Sequence, residues 1–277
     1  FQRDLLQQAI LRSKNNIDIF HERRIAGRTS TIGCQYMMRW IVGGAVVFAL
    51  GVGIFGLPPF SGQPTAGFAE GEPGFETGVK RLPNGIYEVS VRTPMPGVSP
   101  EMVGWWFGDY METTEHYRRW FPDAHLWMDW ENKVPGEIIG ASHLVHEYIG
   151  GELSRLRIQF VDPSEFFGYN PNDRNTFVIC ARVGLLDNVI NIAKMCHVVK
   201  DNKDGSEMRS RFWLGHVSIR EDNQTKPSLI GFFGNMAISR LLVLNNKDAE
   251  TLKRHAIEEM SFLAKLLPSL YRLENKN

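Results

Sequence analysis

Residues 247–267 read KDAETLKRHAIEEMSFLAKLL and have the periodicity of a long amphipathic helix. The apolar stripe of this helix contains Leu252, Ala256, Leu263 and Leu266. Pro268 follows directly. Because proline lacks the amide hydrogen that a helix interior needs, the helix is predicted to end there.

His255 and Glu259 lie on the same apolar stripe, four residues apart. A carboxylate that faces a protein core costs free energy unless it is paired or ligated. Side chains at this spacing project to one point, which is the geometry that a zinc ion uses. A buried hydrogen bond between the two side chains, or a helix rotated so that both reach solvent, would explain the same spacing. For an isolated motif this short, these two explanations are favoured.

The chain before this helix has the alternation of β-strands. The predicted strands are 85–93, 138–149, 154–160, 175–183, 189–200 and 208–219. Residues 201–205, DNKDG, are typical of a hairpin loop between the last two strands. Further helices are predicted from Ser99 onward and over 235–244. This order of elements predicts an α+β domain in which a curved antiparallel sheet grips the last helix and leaves a cavity.

The N-terminal part of the chain has a different composition. Residues 41–57, IVGGAVVFALGVGIFGL, carry no charge and follow seven Lys and Arg residues. Their length is at the lower limit for a bilayer span. Residues 58–80 are rich in Pro and Gly and are predicted to form a linker. We therefore expect an N-terminal appendage, 1–80, and a folded domain, 81–277. A membrane anchor through 41–57 is favoured over a buried hairpin or dimer contact in a cytoplasmic protein.

Composition and charge exclude some classes of function. The chain has 31 basic and 31 acidic residues, so no overall field favours nucleic acid and no nucleic-acid partner is predicted. Hydrophobic residues make up 43% of the chain, which predicts a sizeable core. The three cysteines, Cys34, Cys180 and Cys196, form no Cys-x-x-Cys pair. Their odd number argues against a disulfide framework and leaves any metal to His and carboxylate ligands.

Two more segments carry candidate ligands. Residues 138–151, IIGASHLVHEYIGG, read as a strand with His143 and Glu147 on one face and His146 on the other. Whichever face is inward brings a potential ligand to the cavity. Residues 117–125, YRRWFPDAH, lead from a helix end to His125 through a Pro-Asp turn. Taken alone, His125 is more typical of a capping or core histidine than of a ligand.

Several motifs in a fixed order give a more specific indication. They are PMPGVSPEMV (94–103), WWF (105–107), YRRWFPDAH (117–125), GASHLVHEYIGG (140–151), VDPS (161–164), ARVG (181–184), HVV (197–199) and GSEMRSRFWLG (205–215). Together they resemble the diacetylphloroglucinol hydrolase and phloretin hydrolase family over about residues 83–267. The resemblance implies a zinc-dependent hydrolase that cleaves the carbon–carbon bond between a ketone carbonyl and a phloroglucinol-type ring. It also implies a helix-grip domain similar to the Bet v 1 and START folds, one Zn²⁺ in the cavity, a small phenolic ketone as substrate, and a homodimer.

The resemblance also implies roles for individual residues. The two-His, two-Glu zinc pattern of the family falls on His125, Glu147, His255 and Glu259, with His143 as the rival of Glu147 on the strand. The tyrosine and the additional histidine of the family fall on Tyr117 and His197. We expect His197 to act as the general acid/base, and Tyr117 to donate a hydrogen bond to a ring or carbonyl oxygen.

Two positions depart from the family member that acts on diacetylphloroglucinol. Phe212 replaces a substrate-facing tyrosine, and Met128 replaces an asparagine, so both changes remove hydrogen-bonding groups from the pocket. Phe212, Met128 and His143 are the candidate substrate contacts. The main alternative is a non-enzymatic helix-grip protein that binds aromatic or lipid ligands. The two carboxylates argue against it, because a carrier has no need for them in an apolar cavity.

Overall fold

The computed structural model describes residues 75–276, which form one antiparallel sheet and a set of helices. The strands are β1 (Gly78–Arg81), β2 (Tyr87–Pro96), β3 (His125–Glu131), β4 (Ser142–Ile149), β5 (Glu152–Val161), β6 (Thr176–Leu185), β7 (Ile190–Asn202), β8 (Gly205–Glu221) and β9 (Gln224–Lys226). Their order in the sheet is β1-β2-β8-β7-β6-β5-β4-β3, and β9 pairs with β8. Each strand predicted from the sequence has a counterpart, whereas β1, β3 and β9 were not predicted.

Six α-helices lie between or after these strands in the described part of the chain. They are α1 (Pro100–Trp105), which continues as a π-helical turn (Trp106–Tyr110), then α2 (Thr114–Trp120), α3 (Ser164–Phe167), α4 (Leu229–Gly234), α5 (Ala237–Val243) and α6 (Asn246–Glu274). The predicted cap is confirmed, because the Ser99 hydroxyl accepts a hydrogen bond from the amide of Met102. The α+β, helix-grip prediction is also confirmed, since α6 packs against the sheet and leaves a cavity beside it.

Helix α6 is longer than the sequence predicted. It continues through Pro268 to Glu274, so the expected end at Pro268 is wrong. A proline inside a helix costs about 3 kcal/mol. The turns around and beyond it bury Leu267 and Leu270 and place Tyr271 against Trp105 at 5.0 Å between ring centroids. Burial of each aliphatic side chain contributes about 1.5–3 kcal/mol, which outweighs the cost of the proline.

Apolar residues lie on both faces of the sheet. On the inner face, Val89 and Met208 pack in the same cluster as Leu263 of α6. On the outer face, a smaller cluster around Trp213 includes Cys180 and Cys196. These two cysteines are direct partners across β6 and β7 and form a disulfide. The argument from the odd number of cysteines against a disulfide framework missed this single bond, because a cysteine count does not report strand register.

The turn between β4 and β5 brings β4 close to α6. Gly150 and Gly151 both have positive φ, 61° and 82°, which favours glycine. A Cβ at Gly150 would lie 2.2 Å from Cγ2 of Thr251 in α6. The turn therefore approaches the helix more closely than any residue with a side chain would allow.

The predicted apolar run, 41–57, and most of the predicted linker, 58–80, lie outside the described residues. The division of the chain near residue 80 stays a prediction. Between residues 75 and 276, no helix combines the length and the apolar character needed to cross a membrane.

Candidate metal centre and cavity

Four side chains that the sequence analysis identified as candidate ligands meet between the inner face of the sheet and α6. They are His125 at the start of β3, Glu147 in β4, and His255 and Glu259 in α6. One ligand atom from each lies within 4.8 Å of the others. Nε2 of His125 is 3.2 Å from Oε1 of Glu259 and 3.6 Å from Oε2 of Glu147. Tetrahedral zinc with bonds of about 2.0–2.2 Å holds its ligand atoms roughly 3.3–3.6 Å apart. The cluster is therefore close to the size of a zinc site.

Backbone pairing and helical spacing position these groups. His125 and Glu147 are direct partners in the β3–β4 ladder, so both side chains point to the inner face. His255 and Glu259 are one turn apart on the face of α6 that meets them, and Nε2 of His255 is 3.8 Å from Oε2 of Glu147. Nε1 of Trp120 in α2 donates to the backbone carbonyl of Glu259 at 2.9 Å, which holds α2 against the same turn of α6.

His125 is oriented as a metal ligand would be. Its Nδ1 is 2.9 Å from the carbonyl oxygen of Tyr117, and because a carbonyl only accepts, Nδ1 carries the hydrogen. Nε2 therefore faces the cluster, where it is buried and lies 3.2 Å from Oε1 of Glu259. The imidazole stacks on the ring of Tyr117 at 3.6 Å between centroids. A backbone bond that fixes one ring nitrogen and frees the other is typical of metal-binding histidines.

The charges of the cluster favour a cation. Burial disfavours the charged form of His125, but close contact with Glu259 and the charge of Glu147 outweigh it and raise the pKa of the imidazole. Burial likewise disfavours the carboxylate of Glu259, but His125 and His255 lower the pKa of this group. The arrangement therefore stabilises the ionised carboxylate of Glu259. A divalent cation held by two neutral histidines and two carboxylates has a net charge of zero together with its ligands, so these residues fit a metal ion.

The cluster lies at the wall of a cavity of about 710 Å³. The side chains of Tyr117, Glu147, His255 and Glu259 reach this cavity. The Tyr117 hydroxyl donates to Oε2 of Glu147 at 2.6 Å. Burial and the neighbouring carboxylates raise the pKa of Tyr117 well above its usual range, so the hydroxyl keeps its proton.

His197, in β7, also lines the cavity. Its Nδ1 is 2.7 Å from the hydroxyl of Ser210 on β8, and its ring meets the edge of Phe212. Burial lowers the pKa of His197 to about 4, so the imidazole is neutral near pH 7. In the tautomer in which Nδ1 donates to the Ser210 hydroxyl, Nε2 is the nitrogen that can accept a proton.

The remaining predicted residues have different positions. His143 and Phe212 line the cavity, as expected for substrate contacts, but His143 is not among the four clustered groups. Burial lowers the pKa of His143 to about 3. Met128 does not line the cavity, so the structure gives no support for it as a substrate contact. It packs in the core at the edge strand β3, where the Thr114 hydroxyl of α2 bonds its backbone amide and carbonyl.

Two residues near the site were missed at the level of sequence. Ser210 is the cross-strand partner of His197, and the short hairpin that pairs Asn202 with Gly205 already sets this register. Trp120 lies within the YRRWFPDAH motif, but its bond to the backbone of α6 joins positions 139 residues apart. Local sequence carries no signal for a contact of that kind.

Several known proteins are similar to this chain. The family model described as DAPG hydrolase PhiG domain matches residues 66–272. A 2,4-diacetylphloroglucinol hydrolase from Pseudomonas protegens is 29% identical in an alignment of 229 residues that covers 73% of this chain and 70% of that protein. A phloretin hydrolase from Eubacterium ramulus is 28% identical over 192 residues, 66% of each chain. Among solved structures, the major latex-like protein 151 of Panax ginseng aligns with a TM-score of 0.40 and 9% identity, over 66% of this chain and 97% of that one. Because the family model covers well over half of its length, this chain belongs to the DAPG hydrolase PhiG domain family.

Proposed function

We propose that this protein is a zinc-dependent hydrolase that cleaves the carbon–carbon bond between a ketone carbonyl and a phloroglucinol-type phenolic ring. The observation that carries the proposal is the buried set of two histidines and two glutamates at the wall of a large cavity. The names of the related hydrolases support the same reaction class. Nitrogen and carboxylate ligands without sulfur, in a compact group of four, suit zinc.

Hydrolysis of such a ketone needs a nucleophilic water and a proton for the leaving ring. The oxygen of water bonds to the carbonyl carbon, the bond from that carbon to the ring breaks, and the ring carbon takes up a proton. The products are a carboxylic acid and a phenol. The ring can leave with the bonding electrons because its hydroxyl groups permit a keto tautomer. When bound, zinc supplies the Lewis acidity that polarises the carbonyl oxygen.

His197 suits the proton transfer in this reaction. Its imidazole is neutral near pH 7, because burial lowers its pKa to about 4, and Ser210 holds Nδ1. We propose that Nε2 takes a proton from the attacking water and returns it to the ring carbon. Phe212 packs against His197 and lines the cavity, so it offers the phenolic ring of the substrate an apolar surface but no hydrogen bond.

Tyr117 has two candidate roles. In the structure its hydroxyl hydrogen is directed to Glu147, so we propose that it positions this carboxylate. The role expected from the sequence, donation to a substrate oxygen, requires the hydroxyl to turn away from Glu147. Tyr117 lines the cavity, so both roles are open to experiment.

A carrier of aromatic or lipid ligands is the second candidate, because the cavity is large and mostly apolar. Two carboxylates in such a cavity lower its affinity for an apolar ligand, which favours the hydrolase. Homodimerisation and contact of the N-terminal segment with a membrane stay predictions from the sequence.

Removal and return of the metal tests the proposed reaction. With zinc bound, the full chain should convert acylphloroglucinols or dihydrochalcones to the free phenol and the matching carboxylic acid, identified by mass spectrometry. A chelator should abolish turnover, and added zinc should restore it in the wild type but not in His255→Ala/Glu259→Ala. The matched control, Arg254→Ala/Glu258→Ala, changes exposed residues at the same spacing on α6 and should stay active. A folded, zinc-loaded protein that forms neither product would favour the carrier.

Substitution of His197 tests the proton transfer. We expect His197→Ala to lower kcat by about 10²- to 10⁴-fold while zinc content is unchanged, since the residue is not in the ligand cluster. His146→Ala is the control, because His146 packs against Trp127 and does not line the cavity. Turnover at the wild-type rate in zinc-loaded His197→Ala would remove this residue from the mechanism.

Substitution of Tyr117 separates its two roles. If the hydroxyl positions Glu147, Tyr117→Phe should weaken zinc binding by about 10- to 100-fold, measured by competition with a fluorescent chelator. Restored activity at excess zinc would agree with this role. Wild-type zinc affinity together with a raised KM or a lowered kcat would instead indicate direct contact with the substrate.

A further inference from the structure

The cavity has two halves with different linings. Around the metal cluster and His197, the wall is aromatic and includes Phe107, Phe160 and Phe212. The half that leads toward the beginning of α6 is aliphatic, and we call it the aliphatic channel. It is defined by Leu156, Leu185, Ile192, Leu214, Leu244 and Leu252.

Helix α6 gives the channel its direction and length. Along one side of the helix, the cavity lining runs from Glu259 and His255 through Leu252 to Lys247. The eight residue steps from His255 to Lys247 span about 12 Å at 1.5 Å per residue. An extended chain advances about 1.2 Å per bond, so this length accommodates roughly ten bonds. The channel therefore extends well beyond a carbonyl group placed at the metal cluster.

Most of the channel wall comes from strands β5 to β8. Leu156 and Leu185 are direct partners on β5 and β6, and Leu214 lies on β8. These side chains are only partly buried although they belong to the inner face of the sheet. They face the cavity, so their remaining apolar surface can be covered by an apolar occupant, which would be favourable.

Charged groups lie at the outer end of the channel. Arg155 and Asp187 form an ion pair of 2.9 Å, with 35% and 61% of their side chains exposed, and Lys247 at the beginning of α6 also lines the cavity and is exposed. A polar ligand would find partners at the rim but few along the aliphatic wall. An occupant that is apolar along its length fits the channel better.

We propose that the aliphatic channel binds a hydrocarbon chain on the ketone side of the substrate, so that the preferred substrates are phenolic ketones with acyl chains of about eight to ten carbons. The phenolic ring then lies in the aromatic half and the carbonyl at the metal cluster. The choice of substrate rests on the proposed hydrolase function, whereas binding of the chain does not.

Binding of phenols that cannot be hydrolysed tests the channel by itself. Alkylphloroglucinols carry the chain directly on the ring and have no ketone. Calorimetric titration of the zinc-loaded protein should show Kd falling by about fourfold per methylene from methyl to octyl, with an increasingly negative heat-capacity change. Equal affinity for the methyl and octyl compounds would overturn the proposal.

Variants of the channel wall test whether the hydrocarbon chain binds in the aliphatic channel. Leu185→Gln and Leu252→Gln keep the size of the side chain but make the wall polar, so the octyl compound should lose most of its advantage over the methyl compound. Leu241→Gln is the matched control, because Leu241 is 53% exposed on α5 and does not line the cavity. An unchanged chain-length dependence in both folded channel variants would contradict the assignment. If neither variant folds, the dependence of Kd on chain length in the wild-type protein tests the proposal by itself.

Turnover then separates this proposal from the proposed function. The kcat/KM for acylphloroglucinols should rise with acyl length from two to about eight carbons. Cleavage of every homologue at the same kcat/KM, with no chain dependence in binding, would overturn the channel proposal and leave the hydrolase intact. A chain-length dependence in binding without cleavage of any homologue would support the channel and contradict the hydrolase.

Discussion

The carboxylates of Glu147, on β4, and Glu259, on α6, lie within 4.8 Å of each other between the sheet and the helix. The rest of the site is arranged around their charge. Removing ionised groups from water costs several kcal/mol each unless opposite charge and hydrogen bonds replace the lost hydration. Here the replacements come from three separate elements. His125 approaches from β3, His255 from α6, and the Tyr117 hydroxyl from α2. A divalent cation would balance the charge of the two carboxylates, and the four clustered side chains could hold one.

Helix α6 connects the metal centre to the rest of the domain. It contributes two of the four clustered side chains, and its preceding turns form part of the aliphatic channel. Because Leu267 and Leu270 anchor the helix on both sides of Pro268, its position along the sheet is fixed by packing far from the site. The Gly150 turn contacts the same helix at Thr251. The positions of the ligands and of the channel therefore depend on the same contacts.

Much of the site could be predicted from sequence, and the failures have physical reasons. The spacing of His255 and Glu259 alone left a metal site and a buried hydrogen bond open, and the resemblance carried by the order of motifs favoured the metal site. The contact of Ser210 with His197 follows from counting back from the hairpin. A bulge between His125 and Trp127 pairs Met128 with Val145 and turns it to the inner face, but its side chain packs in the core and does not line the cavity. Helix α6 passes Pro268 because tertiary packing outweighs the local preference of proline.

The central claim is that His125, Glu147, His255 and Glu259 hold one metal ion together. Anomalous diffraction at the zinc absorption edge, from crystals of the full chain grown with zinc, tests it most directly. The account predicts one strong peak inside the cavity, about 2.0–2.2 Å from Nε2 of both histidines and from one oxygen of each glutamate. A well-ordered crystal structure with no anomalous peak at this cluster, or with zinc bound only at another site, would contradict the account.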